Sequence, residues 1–243
     1  MSYMGDLANC KTGRYAFNAI CLILLLVSFG CSDQATHQQL FSLQMDLAMP
    51  RNRVAIIIAG MNQKTSMAEY HRIGDYYKSK GIAPVYADID WKHTGLANLA
   101  TAASQMSAEI KKTYPDSKVF LFGFSFGAVI AYKLSESVNP AHTLLCSMSP
   151  VFTEDRNYQI FPFRQVMGMV TDYSSNHLAY PPNGGRSMVF LYGEREFLIN
   201  NAIIAHRKSI FTNSTTITVQ GTGHDISNPL YLGVIKKVVS EIP

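Results

Sequence analysis

The chain alternates between two kinds of hydrophobic pattern. Six runs are apolar at most positions: VAIIIAG (54–60), PVYADIDW (84–91), KVFLFGF (118–124), HTLLCSMS (142–149), SMVFLYG (187–193) and TTITVQG (215–221). All but the fourth lead into stretches whose apolar residues recur every three to four positions, at 66–80, 98–114, 126–137, 198–211 and 229–241. An apolar run without alternation marks a strand covered on both faces, and the helical stretches between such runs supply the cover. The pattern predicts an α/β fold with a mostly parallel central sheet of about six to seven strands and helices on both faces. FSLQMDL (41–47) alternates instead, as a half-covered edge strand does, and is expected to add an antiparallel member.

The rhythm breaks between 150 and 186, where Pro162, Pro181, Pro182 and the Gly184-Gly185 pair interrupt weak helical segments. This stretch reads either as a lid-like insertion or as a crossover helix with irregular ends. No internal repeat or low-complexity tract is present.

The amino-terminal pattern differs from the rest. Lys11 and Arg14 precede AICLILLLVSF (19–29), which is short for a bilayer span but has the length of the apolar region of an export signal. It ends in FGC and passes into the polar SDQATHQQ. That order resembles a bacterial lipoprotein signal, although Ser28 stands where an aliphatic residue is usual. The resemblance implies a signal peptide over 1–30, a lipid-modified Cys31 anchoring the chain to a membrane, and a place in the cell envelope; Ser32 at the sorting position implies the outer membrane. A tether and the edge strand would then occupy 31–50, and the folded body 51–243.

Composition narrows the chemistry. Lysine and arginine number 21 against 17 acidic residues, scattered without a basic run, so the chain has no electrostatic footprint for nucleic acid. Of four cysteines, two lie in the proposed leader, Cys31 is the proposed anchor, and Cys146 alone lies in the body, inside an apolar run, so it is read as a core residue and no internal disulfide is expected. No Cys/His spacing suits zinc, and no metal or cofactor is expected. Asp88 and Asp90 end an apolar run but lack further ligands at a useful spacing, so they read as polar residues near a site.

The reactive candidate lies in KVFLFGFSFGAVIAYKL (118–134), where Gly123-Phe124-Ser125-Phe126-Gly127 joins a strand pattern to a helix pattern. The G-x-S-x-G spacing at such a junction forms a sharp turn that exposes the serine over the helix amino terminus, where backbone N–H groups favour negative charge. A serine hydroxyl needs a base to take its proton. Among the histidines, His224 sits in a glycine-bearing loop after the last apolar run, TITVQGTGHDIS, while His71 and His206 fall in helical patterns. An acid must hold that imidazole, and GEREF places Glu194 and Glu196 just after a buried strand. Glu196 is preferred for its offset from Gly193, with Glu194 kept open.

The order Ser125, Glu196, His224 resembles the α/β-hydrolase superfamily from about residue 54 to the end, glutamate replacing the more usual aspartate. The resemblance implies an oxyanion hole built from the N–H of Phe126 and the N–H of Met61 in the loop AIIIAGMNQK. It further implies a serine hydrolase that cleaves a carboxylic ester or thioester through an acyl-enzyme intermediate, and the expected lipid anchor makes lipid-like acyl substrates attractive. An acyltransferase or peptidase on the same residues, and a non-catalytic binding lipoprotein, are the alternatives. Asn62 reads equally as a substrate contact or a turn former, and Trp91 as a pocket-lining residue. Phe124, Phe126, Phe152, Phe161 and Phe163 read as core, some of them as the wall of an acyl pocket.

Overall fold

The computed structural model describes residues 39–45, 49–95, 98–159, 179–180 and 188–243. Among the described residues seven strands form one sheet: β1 (Phe41–Met45), β2 (Arg53–Ile58), β3 (Ala83–Ile89), β4 (Lys118–Phe124), β5 (His142–Cys146), β6 (Val189–Gly193) and β7 (Thr215–Val219). Their spatial order is β1-β3-β2-β4-β5-β6-β7. Only the β1–β3 pair is antiparallel, with Phe41 opposite Ile89; every other neighbour is parallel.

Two helical layers cover the sheet. On one face lie α1 (Ala68–Lys78) and α6 (Pro229–Ser240). On the other lie α3 (Leu99–Thr113), α4 (Phe126–Val138) and α5 (Asn201–Ile210). Strand β2 shows why the apolar runs do not alternate: Val54, Ile56 and Ile58 enter one core, Ala55 and Ile57 the other, and all five are inaccessible to solvent. Helix boundaries follow local chemistry. Asn200 accepts the N–H groups of Ala202 and Ile203 to start α5, and Asn228 with Pro229 starts α6. Asn139, at φ 46°, stops α4 in the left-handed conformation.

Two predicted strands end sooner than their hydropathy suggests. The run 84–91 leaves the sheet at Ile89 because Asp90 accepts the His93 N–H and opens a one-turn helix, α2 (Trp91–Thr94). His93 lies in that turn with its Nδ1 2.7 Å from Asp90. Burial works against the Asp90 charge, but the His93 ring and backbone outweigh it and hold the carboxyl below its usual range. The run 142–149 leaves the sheet after Cys146, where Ser147 takes φ 47°.

The carboxyl ends of the parallel strands converge on one edge, where open α/β sheets bind ligands. The 150–186 stretch begins with a 3₁₀ segment, Thr153–Tyr158, and Tyr180 stacks on Phe152 with ring centroids 4.3 Å apart. Whether a lid lies between, and the expectations for residues 1–30, Cys31, Phe161 and Phe163, fall outside the described residues. Among the described residues no helix is long and apolar enough to cross a membrane.

Candidate active site

Ser125 occupies the turn between β4 and α4 with φ 56° and ψ −121°, a conformation that costs a non-glycine residue about 1–3 kcal/mol. The neighbouring glycines permit the turn. A Cβ on Gly127 would sit 2.3 Å from the Ala59 carbonyl oxygen, and one on Gly123 2.5 Å from Ala128 Cα. Helix α4 therefore starts in direct contact with the end of β2. The Ser125 N–H donates to Cys146 O at 2.9 Å, which pins the turn to β5.

The loop after β7 brings His224 over this turn. Its Nε2 lies 2.9 Å from Ser125 Oγ and its Nδ1 2.7 Å from Glu196 Oε2. An ionised carboxylate only accepts, so Nδ1 carries the hydrogen and the Nε2 lone pair faces the serine hydroxyl. Phe124 and Phe197 flank the imidazole at 5.0 and 5.8 Å between ring centroids. The Glu196 side chain is fully buried and that of His224 is 15% exposed. Glu194 is not part of the group; its carboxylate accepts the Gly221 N–H at 2.9 Å on the surface.

Phe126 and Met61 offer N–H groups near this turn. Phe126 is the first residue of α4, and Met61 follows the end of β2; neither N–H donates to another described residue. Gly60 brings the Met61 loop close, since a Cβ there would stand 3.3 Å from Ser125 Cβ. A hydroxyl, an imidazole and a carboxylate in line can move the hydroxyl proton onto Nε2 as the oxygen attacks a carbonyl carbon, with free N–H groups to receive the resulting negative charge.

No protein-family model and no curated protein matches the chain. Its shape does match solved structures. Est1E from Butyrivibrio proteoclasticus, solved with ferulic acid bound, superposes with a TM-score of 0.62 at 13% identity, over 83% of this chain and 95% of that one. An alpha-beta serine hydrolase homologue from Coxiella burnetii gives 0.57 at 12% identity, over 82% and 88% of the two chains. A dienelactone hydrolase from Anabaena variabilis gives 0.56 at 12% identity, over 87% and 94%. The fold is that of the α/β hydrolases.

Within this α/β-hydrolase fold, Asn62 and Trp91 line an open groove of about 620 Å³ together with Phe41, Gln63, Asp88 and Lys92. Asn62 has φ 61°, so it shapes the loop as well as facing the groove. Trp91 is 6% exposed, packs 6.4 Å from the Phe126 ring, and its indole N–H has no partner among the described residues. Asp88 accepts the N–H and hydroxyl of Thr65 at 2.7 and 2.9 Å, a structural use of one of the two aspartates. Among the described residues no cluster of three His, Cys, Asp or Glu side chains could hold a metal ion. Cys146 is fully buried beneath the site, and burial pushes its thiol well above the usual range.

Sequence reasoning missed four residues around this site. Ser147 and Tyr231 contact Glu196 directly or through one hydroxyl. Ser149 Oγ lies 3.3 Å from Ser125 Oγ. Arg207, 2% exposed, donates to the carbonyls of Met148 and Ser149 at 2.7 and 3.2 Å and pairs with Asp155 at 2.6 Å. Burial opposes the Arg207 charge, yet the facing Asp155 carboxylate outweighs it and keeps the guanidinium protonated. Arg207 and Tyr231 left a readable trace: Arg207 falls on the apolar stripe of α5, four positions from both Ile203 and Phe211, and Tyr231 on that of α6, four positions from Ile235. The serines left none, because small polar residues at a strand end are ordinary.

Proposed function

We propose that this protein is a serine hydrolase acting on a carboxylic ester or thioester. The observation that carries this reading is the imidazole of His224 standing 2.9 Å from the Ser125 hydroxyl and 2.7 Å from the Glu196 carboxylate. In this mechanism Ser125 Oγ attacks the acyl carbon while its proton passes to His224 Nε2. The N–H groups of Phe126 and Met61 hold the oxyanion, and Glu196 stabilises the imidazolium. Collapse expels the alcohol or thiol, which takes the proton from His224. Water then attacks the acyl-enzyme as it loses a proton to the same nitrogen, and that proton passes to Ser125 Oγ as the acyl–oxygen bond breaks and the acid leaves.

The groove of Asn62 and Trp91 receives the part of the substrate beyond the Met61 N–H. Its amides, carboxylate and lysine around an aromatic wall suit a polar head group, so an acyl lipid with a hydroxylated head fits better than a plain alkyl ester. We also propose that Cys31 carries a lipid anchor, on the basic, apolar and small-residue order that precedes it.

Incubation of the purified protein with a fluorophosphonate probe tests the chemistry. The expected result is a single adduct on Ser125, lost in Ser125→Ala with the fold intact; no adduct on folded wild-type protein refutes the reading. Nitrophenyl esters of graded chain length, and glycerol against ethyl esters of one acid, then define the substrate. Unchanged membrane partitioning and processing in Cys31→Ala would remove the anchor.

A further inference from the structure

The Glu196 side chain is fully buried, and a buried carboxylate keeps its aim only if donors meet both oxygens. Oε2 takes the His224 Nδ1–H. Oε1 accepts the Gly193 N–H at 3.2 Å and the hydroxyl of Ser147. Ser147 Oγ is in turn 2.7 Å from Tyr231 OH, and Tyr231 OH is 3.0 Å from Leu191 O. These are three contacts served by two hydroxyl hydrogens. The carboxylate cannot donate, so the Ser147 hydrogen belongs to Glu196. Ser147 Oγ must then accept from Tyr231. The Leu191 carbonyl is not stranded by that choice, because it already accepts the Ser147 N–H at 2.7 Å.

We infer that Ser147 and Tyr231 are positioning residues for the triad acid: Tyr231 donates to Ser147, Ser147 donates to Glu196, and the chain aims Oε2 at His224. This rests on the serine-hydrolase reading of the same site. Neither side chain reaches the reacting atoms; both act through Glu196. The relay joins three elements, with Ser147 just beyond β5, Glu196 just beyond β6 and Tyr231 on α6. Two further features support it. Ser147 holds φ 47°, a conformation that strains a serine and in which glycine would be free of strain, so this position carries a hydroxyl at a cost to the backbone. Tyr231 is inaccessible to solvent, and burial together with the nearby Cys146 and Glu196 pushes its phenol well above the usual range, which keeps it a donor at every working pH. Hydroxyls in series polarise one another, so the Ser147 bond to the carboxylate is strengthened by the tyrosine behind it.

The test uses Ser147→Gly, whose backbone suits φ 47°, and Tyr231→Phe, which removes one oxygen, each in wild-type and Glu196→Gln backgrounds. On a nitrophenyl ester, Ser147→Gly lowers kcat about ten- to a hundredfold, the worth of one charge-assisted hydrogen bond, with KM unchanged; Tyr231→Phe lowers it about threefold to tenfold. In the Glu196→Gln background both losses vanish, because residues acting through one group are not additive. Losses that persist undiminished there overturn the inference. A second readout does not depend on turnover. In protein labelled at the glutamate carboxyl carbon, the Glu196 resonance, assigned by its absence in Glu196→Gln, shifts in both variants. A resonance unmoved in Ser147→Gly and in Tyr231→Phe disproves the relay. Wild-type protein that neither hydrolyses esters nor takes the fluorophosphonate probe defeats the hydrolase reading instead, and the resonance still decides whether these hydroxyls hold Glu196.

Discussion

Replacing Arg207 with methionine tests how the floor of the site is held. Methionine keeps an unbranched apolar stem on α5 and removes every donor. Asp155, fully buried, then retains the Tyr180 hydroxyl at 2.8 Å as its side-chain donor, and the Met148 and Ser149 carbonyls each lose a partner. Breaking a buried ion pair from one side costs about 3–5 kcal/mol. An orphaned buried carbonyl costs about 1 kcal/mol at the low end. Because the loop after β5 can relax around its carbonyls, a total of about 5 kcal/mol is expected, a large part of the stability of an ordinary domain. For a body of this length that corresponds to a fall in Tm of about 10–20 °C. Urea and thermal denaturation followed by far-ultraviolet circular dichroism measure it. Adding Asp155→Asn to Arg207→Met removes the stranded charge and should recover about 2–3 kcal/mol. A loss below about 1 kcal/mol in Arg207→Met, or no recovery in the double variant, refutes the argument that this pair holds the loop beneath Ser125.

Three other outcomes follow from the geometry. Glu196→Gln should lower kcat by a factor on the order of 10⁴, whereas Glu194→Gln, whose carboxylate meets only Gly221 among its described partners, should change it less than about threefold in the same assay. Equal losses would mean that the acid has been misassigned. Gly127→Ala places a methyl 2.3 Å from the Ala59 carbonyl, where only backbone could yield, so chemical denaturation should show a loss of at least about 2 kcal/mol; wild-type stability would contradict the contact between α4 and β2. His142 is held below its usual pKa by burial, with Nδ1 unpartnered among the described residues, so the folded chain binds its proton less readily than the unfolded one. Its contribution is complete above the unfolded value of about 6.5 and is lost as pH falls through the lowered folded value, so His142→Gln should flatten the decline in stability below about pH 6.5. An unchanged slope would exonerate His142.

The fold class was legible because burial acts residue by residue. A strand covered on both faces must be apolar wherever it is covered, as β2 is after Arg53 and β4 after Lys118; an edge strand must alternate, as β1 does. Errors arose where a polar group redirected the chain inside an apolar run. Asp90 turned the chain into α2 by capping the His93 N–H, so Trp91 begins a helix although hydropathy extends the strand through it. Ser147 ended β5 by taking φ 47°, outside the strand region. Neither event alters local hydropathy.

At the candidate site the sequence by itself determined which chemical groups are available: a serine at a strand-to-helix turn between glycines, a histidine in a late flexible loop, and two glutamates after one strand. Those properties are local, set by residue type and by the turn a short segment can adopt. Only the tertiary structure decided that Ser125 and His224, 99 positions apart, meet at 2.9 Å, that Glu196 rather than Glu194 faces the imidazole, and that Ser147, Tyr231 and Arg207 stand behind them. Contacts between distant segments depend on strand order and register, which arise when the whole sheet packs against its two helical layers. No short stretch of chain carries that information.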